Sequence, residues 1–186
     1  MRYLLTDAFG SELAPYEVIG TPTDLPGAEA LAQEDRYNFQ LWALGLVNAG
    51  PAQDKKGADG GIDGYIKFFD DNSGKAKKIV VQVKSGGVSR SHVAALKGDM
   101  DRKKAVIGAL LTLKSPTGPI KIEAAAAGFY EPEYYPGRRY PRLQILTIKE
   151  LLDGKQLEYP RVAREVTFRV AKRMSRREEP KPGKLF

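Results

Sequence analysis

Between Lys78 and Lys84 apolar and polar residues alternate. Ile79, Val81 and Val83 fall on one side, and Val80, Gln82 and Lys84 on the other. Period-two alternation is the mark of a β-strand, whose successive side chains point to opposite faces. A looser alternation over Ile62 to Phe69 predicts a second strand, and the turn cluster Asp70-Asp71-Asn72-Ser73-Gly74 joins the two. Ala105 to Leu113 is a continuous apolar run, which predicts a strand covered on both faces. Leu143 to Thr147 predicts a further strand. Two isolated apolar stretches, Tyr3 to Leu5 and Tyr16 to Ile19, precede the main pattern as strands or partner-seeking segments.

The helical signals fall between these strands. Pro22, Asp24 and Pro26 mark a helix start, with Thr23 or Asp24 as its cap. Ala28 to Ala49 then reads as helix, broken near Asp35. In its second half Phe39, Trp42, Ala43 and Leu46 form one stripe, and Tyr37, Leu41 and Leu44 an adjoining one. Together they cover most of the circumference, which predicts a largely buried helix. Gly50-Pro51 ends it. Ser89 and Ser91 open a helix carrying Val93, Leu96 and Met100; Ile120 to Ala127 is another, and Lys149 to Asp153 a short one. Tyr130 to Arg142, rich in Tyr, Pro and Arg, reads as a loop. The order helix, strand, strand, helix, strand, helix, strand predicts an α/β fold, a mixed β-sheet flanked by helices. The expected organisation is an N-terminal extension (1–25), a core domain (26–155) and a basic C-terminal tail (156–186).

Composition narrows the function classes. A chain of 186 residues with 42% hydrophobic and 28% charged content is of a size and make-up for one globular domain. No run approaches the ~18 apolar residues of a membrane span. Asp7 interrupts what would be the apolar core of an export signal, so a cytoplasmic location and no membrane partner are expected. The absence of cysteine removes disulfides, thiolate nucleophiles and zinc ribbons, and the lone His92 leaves no two-histidine metal site. The net charge of +7 favours a polyanionic partner. Nine basic residues against three acidic ones lie between Arg161 and Lys184. Such a tail by itself is equally a solubilising extension.

One constellation stands apart. Asp63 lies in Gly60-Gly61-Ile62-Asp63-Gly64, and Gln82-Val83-Lys84 follows on the next strand. Gln82 and Lys84, two apart, project from one sheet face, and an Asp at the start of the neighbouring strand can reach that face. Two readings are open. In one, this is an edge strand whose Val80, Gln82 and Lys84 face water. In the other, it is a divalent-metal phosphodiesterase site. Asp63 is then the hard anionic ligand, Gln82 an amide oxygen, Val83 a backbone carbonyl and Lys84 the cation for developing charge.

These residues resemble the PD-(D/E)XK nuclease superfamily, whose signature is an Asp on one strand and Glu-x-Lys on the next. Gln in place of Glu, with the Gly-Ile-Asp-Gly turn, is similar to the Mrr-type restriction endonuclease branch. From Ala28 to about Gly154 the chain further resembles endonuclease-like domains of some DNA methyltransferase-related proteins. Asp35-Arg36-Tyr37-Asn38-Phe39-Gln40-Leu41-Trp42-Ala43 and Tyr140-Pro141-Arg142-Leu143-Gln144-Ile145-Leu146-Thr147 carry that likeness. The resemblance implies a restriction-endonuclease-like fold and a DNA endonuclease dependent on Mg²⁺, with Mn²⁺ as substitute, acting in restriction of foreign DNA. Its catalytic residues would be Asp63, Gln82 and Lys84, its metal ligands Asp63, Gln82 and the Val83 carbonyl. Gln40 stands where Mrr-type proteins carry an acid; either it bonds to the site or it satisfies a neighbouring strand, and Glu34 is the substitute acid.

Lys55, Lys56, Arg90, Arg138, Arg139, Arg173, Arg176 and Arg177 are the basic positions expected to grip DNA phosphates without reading sequence. Asp59 is a second ligand or a solvated turn residue, His92 a surface residue or a phosphate contact, and Ser85-Gly86-Gly87 a plain loop or a backbone approach to phosphate. The alternative function is a catalytically inactive DNA-binding module of a larger DNA-modification protein. A DNA methyltransferase domain or subunit and a second copy of the chain are the further partners considered.

Overall fold

Two aspartates set the start of the domain. In this computed structural model, which describes residues 21–52, 61–70, 75–133 and 137–161, α1 (Leu25–Glu34) begins where Asp24 Oδ1 accepts the Gly27 N–H at 2.8 Å. Asp35 ends α1 and caps α2 (Arg36–Leu46), its carboxylate accepting the N–H groups of Tyr37 and Asn38 at 2.9 and 3.0 Å. One side chain thus satisfies two donors that a helix start leaves unpaired, and the break falls where the sequence predicts it. α2 buries Phe39, Ala43 and Leu44, but Tyr37 is 66% exposed. Of the second stripe Leu44 is buried and Leu41 half-buried, and Tyr37, in the first turn, is the member left to solvent.

β1 (Gly50–Pro51), β2 (Gly64–Phe68) and β3 (Lys77–Lys84) pair antiparallel in sequence. After α3 (Arg90–Lys103) comes β4 (Ile107–Thr112), parallel to β3. Beyond α4 (Gly118–Ala125) and a small hairpin of β5 (Phe129–Tyr130) and β6 (Tyr140–Pro141), β7 (Leu143–Thr147) joins β4 in parallel, and α5 (Ile148–Leu152) follows. The hairpin overlaps the stretch Tyr130 to Arg142 expected as loop, beginning one residue before it, since two-residue strands are too short to show a period. The five-stranded order is β1-β2-β3-β4-β7. β3 is therefore the middle strand, which excludes the edge-strand reading. All six residues of β4 are buried, as its apolar run requires.

The sheet separates two apolar layers. Ile79, Val81, Val83, Ala109, Leu111 and Leu146 face α1, α2 and α5 through Ala28, Phe39, Ala43, Leu44, Ile148 and Leu151. Val80, Leu110 and Leu143 face α3 and α4 through Val93, Leu96, Met100, Ile120 and Ala124. The α/β fold with a mixed sheet flanked by helices is the one expected. Among the described residues no helix is long and apolar enough to cross a membrane.

Residues 156–161, placed with the tail by the sequence, pack onto the domain. Leu157 is buried in the first layer and the Tyr159 ring meets Phe68 at a tilted angle, ring centres 5.6 Å apart. Gln144 clamps the segment: its Nε2 donates to Glu158 O at 2.7 Å and to Pro141 O at 3.1 Å, while Glu158 N–H donates to its Oε1 at 2.9 Å. A boundary after 155 therefore cuts through packed chain. Gln144→Ala is expected to cost about 1–2 kcal/mol, because part-buried backbone groups of Pro141 and Glu158 lose their partners. Urea unfolding reads this directly. The stretches Tyr3 to Leu5 and Tyr16 to Ile19, and the chain beyond Arg161, lie outside the described residues.

Candidate metal and nucleic-acid site

Asp63 stands just ahead of β2, with its backbone pinned on both sides. Its N–H donates to Val81 O and its carbonyl accepts Ala52 N–H, each at 2.9 Å. The antiparallel ladder ends at Gly64, which faces Val81, and the Asp63 N–H reaches the same Val81 carbonyl, so Asp63 sits beside the Val81–Val83 stretch of β3. Its Oδ2 accepts the Val83 N–H at 2.7 Å. Lys84 O turns the other way and accepts from Leu113 N–H of the chain leaving β4. Backbone groups alternate in direction along a strand, so the Val83 carbonyl shares the β2 side with its N–H. Asp63, Gln82, Val83 and Lys84 are thus gathered at one end of the β2–β3 pair.

Two glycines shape this corner. Gly61 has φ +97°, a left-handed conformation that side chains rarely adopt, and its position is close to the Gln82 amide. At Gly64 a Cβ would stand 2.8 Å from Gly50 O and 2.7 Å from Leu44 Cδ2, so only glycine lets β1 and α2 close on β2.

The Asp63 carboxyl is pushed above its ordinary value of 3.8, chiefly by burial; the Val83 N–H and the charge of Lys84 pull it part of the way back. A carboxyl raised in the folded state weakens the native form once ionised. That penalty is complete above the raised value and fades as pH falls through it towards 3.8. Asp63→Asn, which still offers Val83 an acceptor, is expected to be more stable than wild type at pH 7. The difference should vanish below 3.8, as denaturation midpoints at the two pH values will show.

Gln82 is 2% exposed, and its Nε2 donates to Oδ2 of Asp99 at 2.8 Å. Asp99, on α3 and 3% exposed, has its other oxygen bound by Arg102 at 2.5 Å. This Gln82–Asp99–Arg102 chain is the part sequence reasoning missed. The available signal was an acid three residues from Leu96 and next to Met100, on the buried stripe of α3.

Among the described residues the donor set is poor in negative charge for a Mg²⁺ centre. Hard cations take several oxygens rich in carboxylate. Asp63 supplies one negative charge, Lys84 offsets it, and Gln82 offers at most a neutral amide oxygen. Among the described residues no three His, Cys, Asp or Glu side chains come together to hold a metal ion. Gln40 is half-buried on α2, one turn before Leu44, and no hydrogen bond joins it to Asp63, Gln82 or Lys84. Glu34 is exposed at the end of α1.

The other candidates are dispersed. Arg90 pairs with Glu123 at 3.7 Å and Arg139 with Glu131 at 2.6 Å; Arg138 is exposed. His92 serves the start of α3, its Nδ1 accepting the Ser89 N–H at 3.1 Å. Ser85 is half-buried, and Gly86 and Gly87 are exposed beyond Lys84. Lys55, Lys56, Asp59, Arg173, Arg176 and Arg177 lie outside the described residues.

Comparison with solved structures finds the same architecture in the DNA modification-dependent restriction endonuclease AspBHI. The TM-score is 0.51 at 14% identity, covering 80% of this chain and 43% of that one. The MspJI restriction endonuclease, solved with a 27-mer oligonucleotide, aligns at TM-score 0.46 and 17% identity, over 75% of this chain and 34% of that one. The chain thus spans less than half the length of either. A comparison with curated proteins gives no match. In the comparison with protein families, residues 42–153 match one family, running from Trp42 in α2 past the end of α5 and including Asp63, Gln82, Lys84 and Asp99. This restriction-endonuclease-like domain therefore belongs to the family of NACHT-associated inactive Restriction Endonuclease 1 domains.

Proposed function

We propose that the chain is a non-cleaving DNA-binding module that keeps the endonuclease-like fold. The observation that carries this reading is the buried bond from Gln82 Nε2 to Asp99. Turning the amide to offer its oxygen in that direction would set a carbonyl against a carboxylate, so Asp99 fixes Gln82 as a structural tie. Asp63 and Lys84 then form a near-neutral pair, and a divalent cation gains little there. The word "inactive" in the family's name agrees with this. DNA is the partner that the +7 net charge favours. The same name associates the family with NACHT modules, and we take a NACHT-bearing protein, rather than a DNA methyltransferase, as the companion.

The test is titration of a labelled duplex by fluorescence anisotropy in EDTA, Mg²⁺ and Mn²⁺. Affinity should be the same in all three and fall steeply with salt, and Lys84→Glu should weaken it. Binding that requires the divalent ion, or none at low salt, would overturn the reading.

A second reading, a metal-dependent deoxyribonuclease of Mrr-like type, is favoured by one feature. Asp63, the Val83 carbonyl and Lys84 share one strand end, as the resemblance requires. Mg²⁺-dependent nicking lost in Asp63→Ala would establish it.

A further inference from the structure

A cleft of about 430 Å³ opens between α4, β7 and α5, on the same sheet face as Gln82 and Lys84. Its floor is aliphatic, formed by Leu143, Ile145 and Ala124, while Lys121, Lys149 and Lys155 line it. The acid in the cleft is already spent. Glu150 Oε1 pairs with Lys155 at 2.7 Å, and its Oε2 accepts from Thr147 N–H at 2.8 Å and Thr147 Oγ1 at 2.9 Å. Lys155 and the Thr147 bonds hold its carboxyl down to about 2, so Glu150 stays ionised and engaged with Lys155. Lys121 and Lys149 are exposed, and neither has a carboxylate partner among the described residues.

The cleft also lies on a line that the sheet defines. Lys84 faces Thr112, and Thr112 faces Thr147, at the carboxyl ends of the three parallel strands. Open α/β sheets take ligands at those ends. At ~4.8 Å per strand, Thr147 is roughly 10 Å from Lys84.

We infer that this cleft is a nucleotide site, with the base on the Leu143–Ile145–Ala124 floor and the phosphate between Lys121 and Lys149. Its size falls within the ~300–1,000 Å³ usual for small-ligand pockets. An acidic peptide would use the amines but leave the apolar lining of Leu143, Ile145 and Ala124 without a partner. On the DNA-binding reading, from which this assignment of a strand follows, the site holds one nucleotide of a single strand that continues towards Lys84.

The experiment is an NMR titration of the full chain with a short oligothymidylate, beside anisotropy across a salt series. The Ala124, Ala125 and Ile145 amides should shift. The double variant Lys121→Glu/Lys149→Glu should lose those shifts, weaken binding at least ~10-fold, and flatten the slope of log affinity against log salt by about 0.7, the value for one neutralised phosphate on a single strand. Unchanged affinity and slope in the variant would overturn the site while leaving DNA binding elsewhere intact. If wild type binds no oligonucleotide at any salt, the DNA-binding reading falls. Thymidine monophosphate then decides the cleft: shifts at the same floor amides keep it as a nucleotide site, and their absence overturns it. A short polyglutamate peptide that shifts the floor when neither nucleotide probe does also overturns it.

Discussion

Gln82→Glu is expected to destabilise the protein by about 3 kcal/mol at neutral pH. The new carboxylate would face Asp99 Oδ2 across 2.8 Å in a place where Gln82 is 2% exposed and Asp99 3%. Like charges this close in a site of low polarity cannot both stay ionised, and Arg102 already serves the other Asp99 oxygen. The pair must take up a proton, so the variant should regain stability as the solution is acidified. Pairing the change with Asp99→Asn reverses the polarity of the bond, amide now on the helix and carboxylate on the strand. The double variant should recover much of the loss, with a coupling of about 2 kcal/mol in a double-mutant cycle. Urea unfolding of the four proteins measures it, and additivity of the single changes would show that the bond does not matter. Placing at position 82 the acid of the Glu-x-Lys pattern that this strand resembles is therefore expected to break the tie to Asp99 unless α3 changes with it.

Gly64→Ala is expected to cost about 2–3 kcal/mol, for a different reason. Its Cβ would stand 2.8 Å from the Gly50 carbonyl, a backbone atom that cannot rotate away, and 2.7 Å from Leu44 Cδ2. Relief would require β1 or α2 to move off β2. Gly45→Ala is the control. Gly45 lies in exposed helix with nothing within 4 Å of an added Cβ, so alanine there should stabilise by about 0.5–1 kcal/mol. Similar effects from both would mean that backbone freedom, not the close approach, sets the Gly64 requirement.

The central elements were legible because their signals are periodic. The alternation of Ile79, Val81 and Val83 against Val80, Gln82 and Lys84 corresponds to two separate layers. Asp35 carried the break between the first helices because its carboxylate is the cap. Elements built on other information were harder. Nothing periodic marks β5 and β6, two residues each. The packing of Leu157 and Tyr159 depends on a clamp from Gln144, distant in sequence, and local charge suggested a tail instead.

The site was legible as a grouping but not as a wiring diagram. The pairing that brings Asp63 beside Val81 and Val83 follows from two strands and a turn. The partner that claims the Gln82 amide comes from α3, seventeen residues on, and only the fold brings it there. Tyr37 shows the reverse error: a member of an apolar stripe that suggests burial, left to solvent in the first turn of α2.

The most direct test of a non-cleaving site is supercoiled-plasmid nicking by the wild-type chain with Mg²⁺ and with Mn²⁺, beside Lys84→Ala and Asp63→Ala prepared identically. The expected result is no conversion to open circle above that of the two variants with either metal, at protein concentrations that bind the DNA. Metal-dependent nicking by wild type that both substitutions abolish would contradict it.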